Sequence, residues 1–192
     1  MKDIAAYNQA EIVSLLRQGC VGVMTTDTIY GVVARAADPD AVAKLYHIKH
    51  REGKPGTVIA ASIEQLEQLG VAPQYLQLVS SFWPAPLSVV LPVDPALAYL
   101  DQGKSSLAVR IPSDETIQAL LSQTGPLLTS SANMPGEPPS QNIAQAKHYF
   151  GDTVDFYVDG GDTTGNQPST VASLSTDGTL TVLRQGAVQL DP

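Results

Sequence analysis

The sequence has one cysteine, Cys20, so no disulfide can close within the chain, which suits a reducing compartment. No stretch approaches the roughly 18 uninterrupted apolar residues of a membrane span. The amino-terminal MKDIAAYNQAEIV also lacks the apolar centre of an export signal. The expected location is the cytoplasm, with no membrane partner. Positive charge is scarce: 11 Lys and Arg stand against 19 Asp and Glu, a net charge of −8. That balance argues against a broad basic face gripping nucleic acid through many phosphates, while leaving a local basic patch open. Metal-ligand spacing is missing too, because His47 and His50 lie three apart and no cysteine or third histidine lies at ligand spacing from them. No serine sits in a Gly-x-Ser-x-Gly elbow, which leaves covalent acyl catalysis without support and names no protein nucleophile.

What is present suffices for a sizeable core. With 192 residues and 43% hydrophobic side chains, residues 1–192 are expected to form a single domain, and no repeat or low-complexity linker divides them. Helix and strand signals alternate, which predicts an α/β fold. Ile12, Val13, Leu15 and Leu16 share a helix face that stops at Gly19, and residues 21–24 read as a strand. Asp40 is the expected cap of a helix burying Val42, Leu45, Tyr46 and Ile48, followed by a strand at 58–61. Ser62 and Gln65 form a capping-box pattern for a helix ending at Gly70, and Pro73 opens another through Phe82. Strands are expected at 87–91, 107–111, 127–129, 154–158, 170–174 and 180–183, with a loop between the first two. Ser113 or Asp114 should cap a helix carrying Ile117, Leu120 and Leu121, and Ser140 or Asn142 one running to Phe150.

Three distant apolar runs end in polar clusters: VGVMTTDTIYGV at 21–32, LAVRIPSD at 107–114 and GPLLTSSAN at 125–133. In an open α/β sheet such strand ends place polar groups at the carboxyl edge, where ligands usually bind. Alternation sets Arg110 opposite Leu107 and Val109, half buried, either facing a carboxylate or phosphate ligand or closing an internal ion pair with an acid such as Asp27. Taken alone, Thr129, Ser130, Ser131 and Asn133, like residues 25–28, also fit ordinary turn chemistry. Lys44, Lys49, Arg51 and Lys54 form the densest basic stretch. They suit the end of a helix dipole, or a loop folding over a polyphosphate around Gly53 and Pro55. Gly160, Gly161 and Gly165 match no phosphate-binding or dinucleotide fingerprint and read as a surface turn. Trp83 reads as core packing.

In this order and spacing, TTDTIYGV at 25–32, the KHR of residues 49–51, FWPAPLSVVLP at 82–92, LAVRIPS at 107–113, LLTSSAN at 127–133, PSTV at 168–171 and LRQGA at 183–187 resemble the YrdC-like family of threonylcarbamoyl-AMP synthases over about residues 8–187. The resemblance implies a twisted mixed β-sheet flanked by helices around a concave pocket. It implies condensation of L-threonine, bicarbonate and ATP to threonylcarbamoyl-adenylate and pyrophosphate, with Mg2+ accompanying ATP. The adenylate would feed modification of tRNA through a separate transferase. By the family pattern, Thr28, Tyr30, Arg110, Thr129 and Ser169 surround threonine and bicarbonate. Lys49, Arg51, Lys54, Ser131, Asn133 and Arg184 hold ATP. Thr25 and Ala85 stand where the family usually carries proline and glycine, and the loop at 51–58 is altered, with Lys54 matched to the family lysine. The chain ends soon after LRQGA, as in short-form members. Alternatives are an RNA-binding or regulatory module that keeps the fold without synthesis, and a carbamoyltransferase using carbamoyl phosphate.

Overall fold

The structure, a computed structural model, describes residues 1–4, 7–175 and 178–190. The elements follow in the order β1 (Lys2–Ile4), α1 (Gln9–Arg17), β2 (Gly22–Thr25), β3 (Tyr30–Arg35), α2 (Pro39–Ile48), β4 (Thr57–Ile59), α3 (Ile63–Leu69) and α4 (Pro73–Val79). Then come β5 (Leu87–Pro92), α5 (Ala98–Asp101), β6 (Ser106–Arg110), α6 (Glu115–Thr124), β7 (Leu127–Ser131), α7 (Ile143–Phe150), β8 (Phe156–Val158), β9 (Thr170–Leu174) and β10 (Leu180–Arg184). The strands form one ten-stranded sheet in the order β1-β8-β2-β3-β7-β4-β6-β5-β9-β10. The sheet is mixed: β1 and β2 run parallel to β8, β4 to β6 and β5 to β9, and the remaining neighbours are antiparallel. No described helix is long and apolar enough to cross a membrane.

Successive strand residues point to opposite faces, so each strand feeds two cores. Val32, Val58 and Leu128 join the cluster under α2, where Val42, Leu45 and Tyr46 pack, whereas Val33, Ile59 and Leu127 join a second cluster with Ile12 and Leu16 of α1 and Ile117, Leu120 and Leu121 of α6. This second helical layer is small, and much of its sheet face is left uncovered. The uncovered area becomes the site.

Local signals explain most boundaries. Asn8, Asp38, Ser62, Asp114 and Asn142 each accept a hydrogen bond from the backbone N–H three residues on, satisfying a donor that the helix start leaves free. Two expectations change here. The cap of α2 is Asp38 rather than Asp40, because Pro39, which lacks an N–H, occupies the first turn and moves the start two residues earlier. Ser140 opens no helix; it is buried and donates to the Ala132 carbonyl at 2.6 Å. The capping box at Ser62 is shifted as well, with the Gln65 carbonyl oxygen accepting from Ala61 N–H at 2.9 Å. Gly70 ends α3 in the left-handed region at φ 112°. The run to Phe82 divides into α4 and a single 3-10 turn. The segment between β5 and β6, expected as a loop, contains the short α5, which buries Leu100.

Candidate anion-binding site on the open sheet face

A cavity of about 590 Å³ lies on the uncovered face, within the roughly 300–1,000 Å³ usual for small-molecule sites. Its floor is a row of cross-strand partners: Thr129 of β7 pairs with Thr57 of β4, Thr57 with Ala108 of β6, and Ala108 with Val90 of β5. These residues lie within the strands. The ligand face is therefore the flat of the sheet, not the carboxyl edge expected from the sequence. In a mixed sheet neighbouring strands run both ways, so no shared carboxyl edge exists.

The walls come from the distant motifs. Thr28, Tyr30, Arg51, Arg110, Thr129, Ser131, Ser169 and Arg184 all line the cavity. Three of the expected residues do not. Lys49, Lys54 and Asn133 line an adjacent hollow of about 410 Å³, which shares Arg51 and Ser131 with the main cavity. Lys49 turns inward: its Nζ donates to the Ser131 and Asn133 carbonyls and to Asn133 Oδ1, and stacks over the Phe150 ring. Burial, reinforced by the Arg51 charge, pushes its pKa down to about 7. Lys49 thus braces the loop after β7. Lys54 is exposed and makes its bond through its backbone, to Gln102 Oε1.

Sequence reasoning named Thr26 and Ser130 only within polar clusters that also fit turn chemistry, and missed Gly56, Thr57, Lys104, Ser106 and Pro139 as lining residues. Lys104 gave a faint signal, a cation in a turn just before β6, but no motif surrounds it.

Arg110 forms the internal ion pair and also stands at the cavity wall. Its side chain is 4% exposed and its Nη2 donates to Asp27 Oδ1 at 2.8 Å, yet it also borders the cavity. Its Nη1 donates to Ser88 Oγ at 2.9 Å, while its Nε and Asp27 Oδ2 have no partner among the described residues. Arg51 donates to Ser130 Oγ, and Arg184 Nη2 to the Ser169 carbonyl at 2.8 Å. Burial lowers the pKa of both, and for Arg184 the charges of Arg110 and Arg51 add to it. Mutual repulsion among cations held this close is relieved by an anion.

Two close approaches bind the motifs together. A Cβ at Gly186 would overlap the Pro168 carbonyl oxygen, and Ala187 N–H donates to that oxygen at 2.9 Å, so LRQGA and PSTV lock side by side. Gly160 is more than the surface turn it was expected to be. A Cβ there would overlap Thr25, and its N–H donates to the Tyr30 hydroxyl at 2.9 Å. Tyr30 in turn donates to the Gly161 carbonyl at 2.8 Å, so the ring lines the cavity while its hydroxyl anchors the glycine loop. Trp83 is core, as expected, and donates to the Leu87 carbonyl at 2.7 Å.

Among the described residues, Arg51, Lys104, Arg110 and Arg184 line a cavity that no carboxylate lines, in a chain of net charge −8. Fold and site together define an α/β protein with a cation-lined cavity on the open face of a mixed sheet. The particular family follows from the whole sequence: residues 14–186 match the profile of the Sua5/YciO/YrdC family, described as telomere recombination, and the chain belongs to that family.

The threonylcarbamoyl-AMP synthase of Bacillus subtilis is 36% identical over 185 residues, covering 93% of this chain, which spans about half (53%) of that relative. The enzyme of that name from Photobacterium profundum is 31% identical over 186 residues, covering 93% of this chain and 99% of the relative. Among solved structures, Pyrococcus abyssi Sua5 complexed with L-threonine superposes with a TM-score of 0.82 at 29% identity, over 96% of this chain and 57% of that one. Escherichia coli YciO, at 24% identity and a TM-score of 0.80 over 98% of this chain and 95% of that one, shares the fold.

Proposed function

We propose that this chain is a threonylcarbamoyl-AMP synthase, acting on L-threonine, bicarbonate and ATP. The observation that carries this reading is the inversion of charge at the cavity: among the described residues, four cationic side chains and no carboxylate line it, beside a floor of small and hydroxyl-bearing residues, in an acidic protein. Such a lining suits a triphosphate next to an amino acid carboxylate.

Threonine sits on the floor near Thr28, Thr129 and Ser169, its carboxylate directed to Arg110. The phosphates lie between Arg51, Lys104 and Arg184 and extend toward the neighbouring hollow, with Ser131 at the junction and Asn133 beyond it. Lys49 acts through the backbone it holds, and Lys54 has no part within the main cavity. The threonine amine adds to the carbon of bicarbonate, with loss of water, to give a carbamate. A carbamate oxygen then attacks the α-phosphorus in line as the bond to pyrophosphate breaks. The protein contributes position and preorganised positive charge, without a covalent intermediate of its own. Mg2+ would accompany ATP and neutralise phosphate charge. Such an ion would be carried on phosphate oxygens, with hydroxyls such as Thr26 and Ser106 nearby. We further place residues 1–192 in one functional unit in the cytoplasm, supplying its adenylate to a separate transferase that modifies tRNA.

The test is incubation with ATP, bicarbonate and isotopically labelled L-threonine, followed by mass detection of the adenylate and assay of pyrophosphate. The expected outcome is both products, each dependent on threonine. Neither product above the protein-free blank contradicts the assignment.

A further inference from the structure

Ser88 of β5 has no exposed surface and is not part of the cavity lining, yet it joins two residues that are. Its Oγ accepts from Arg110 Nη1 at 2.9 Å and lies 3.0 Å from Ser169 Oγ. The direction of the second bond follows from donor chemistry. An arginine nitrogen only donates, so Ser88 is an acceptor toward Arg110. Among the described residues, Ser169 Oγ is the one acceptor within reach of the Ser88 proton. If Ser169 donated to Ser88 instead, a fully enclosed hydroxyl would keep a proton with no partner, an arrangement that native interiors avoid. Ser88 therefore donates to Ser169. The Ser169 proton is left free on the cavity side.

We propose that Ser88 is a positioning residue for the amino acid substrate. It receives Arg110, donates to Ser169, and so fixes the Ser169 hydroxyl as a donor aimed at an anionic oxygen of the ligand, the carboxylate or the carbamate that forms beside it. The proposal rests on the threonine reading above. Both ends of the chain of bonds are pinned: Asp27 holds the far Nη2 of Arg110 at 2.8 Å, and Arg184 holds the Ser169 carbonyl at 2.8 Å. Neither serine can turn without breaking a buried bond. The polarity also discriminates, because a ligand that turned its ammonium group toward this wall would meet donors from both Arg110 and Ser169.

The experiment is titration calorimetry of L-threonine and, separately, of ATP into the wild type, Ser88→Ala, Ser169→Ala and the double variant, with thermal midpoints to confirm folding. Ser88→Ala is expected to weaken threonine binding about tenfold, with a smaller effect on ATP. Because Ser88 acts through Ser169, the double variant should bind threonine no more weakly than Ser169→Ala alone. Additive losses, equal weakening of both ligands, or wild-type threonine affinity in Ser88→Ala would each overturn the proposal. Should Ser88→Ala fail to fold, Ser88→Cys keeps the volume with a poorer donor and carries the same expectations. A wild type that binds ATP but no threonine contradicts the substrate reading itself, and the proposal with it.

Discussion

At the scale of single residues, Arg110 shows how a site side chain is held ready. The sequence leaves it between ligand contact and ion pair. The structure pairs it with Asp27 at the cavity wall, so Arg110→Ala strands the enclosed Asp27 carboxylate. The expected outcome in chemical denaturation is a loss of about 3–5 kcal/mol, with turnover also abolished. Removing both partners, as Asp27→Ala with Arg110→Ala, should recover much of the stability and none of the activity. A double variant as unstable as the single one would contradict this. Lys49 carries a second expectation. Its folded pKa, about 7, lies below its ordinary value near 10.5, so between these pH values the unfolded chain binds the extra proton. Stability then rises as pH increases through this window, by up to about 1.4 kcal/mol per pH unit. Thermal midpoints measured from pH 7 to about pH 9 should climb in the wild type and stay flatter in Lys49→Met. Equal slopes would remove Lys49 from the explanation. The sequence announced this lysine through its basic neighbourhood, but not that it turns inward, since the carbonyls it meets belong to a loop some eighty residues away.

At the scale of elements, most of the fold was legible because caps, glycine stops and apolar periodicity act locally. The helices stopping at Gly19 and Gly70, and the strand at Thr170–Leu174, stand where the pattern put them. The strand β3 was not separated from the TTDTIYGV motif, since its polar start masks the apolar run at Val32 and Val33. The three-residue β1 is too short to show a period. Asp38 and Asp40 offer a direct check on boundary reasoning. Asp38→Ala should cost about 1 kcal/mol in thermal or denaturant unfolding, and Asp40→Ala only a few tenths; the opposite ranking would restore the later helix start. Gly186→Ala tests the lock between the last two motifs. The added methyl must displace Pro168 and Ser169, so a folded variant should lose threonine affinity, as read by calorimetry. Unchanged affinity would show that the wall at Ser169 tolerates the shift.

At the scale of the whole molecule, the contrast between an acidic exterior balance and a cationic interior cavity directs the ligand to one place. ATP affinity should accordingly fall as ionic strength rises, the more so because Arg51 belongs to both hollows. The motifs disclosed which segments converge, whereas the location of the cavity on the sheet face was hidden. That location depends on strand order and on how little of one face α1 and α6 cover, and neither is a local property of the chain. The central claim is that one open face seats an amino acid against a triphosphate. It is tested most directly by a crystal structure of the protein with L-threonine and a non-hydrolysable ATP analogue. The account predicts threonine over Thr57 and Ala108, with its carboxylate at Arg110 and Ser169, and the phosphates among Arg51, Lys104 and Arg184. The two ligands on separate surfaces, or phosphates bound away from these cations, would contradict it.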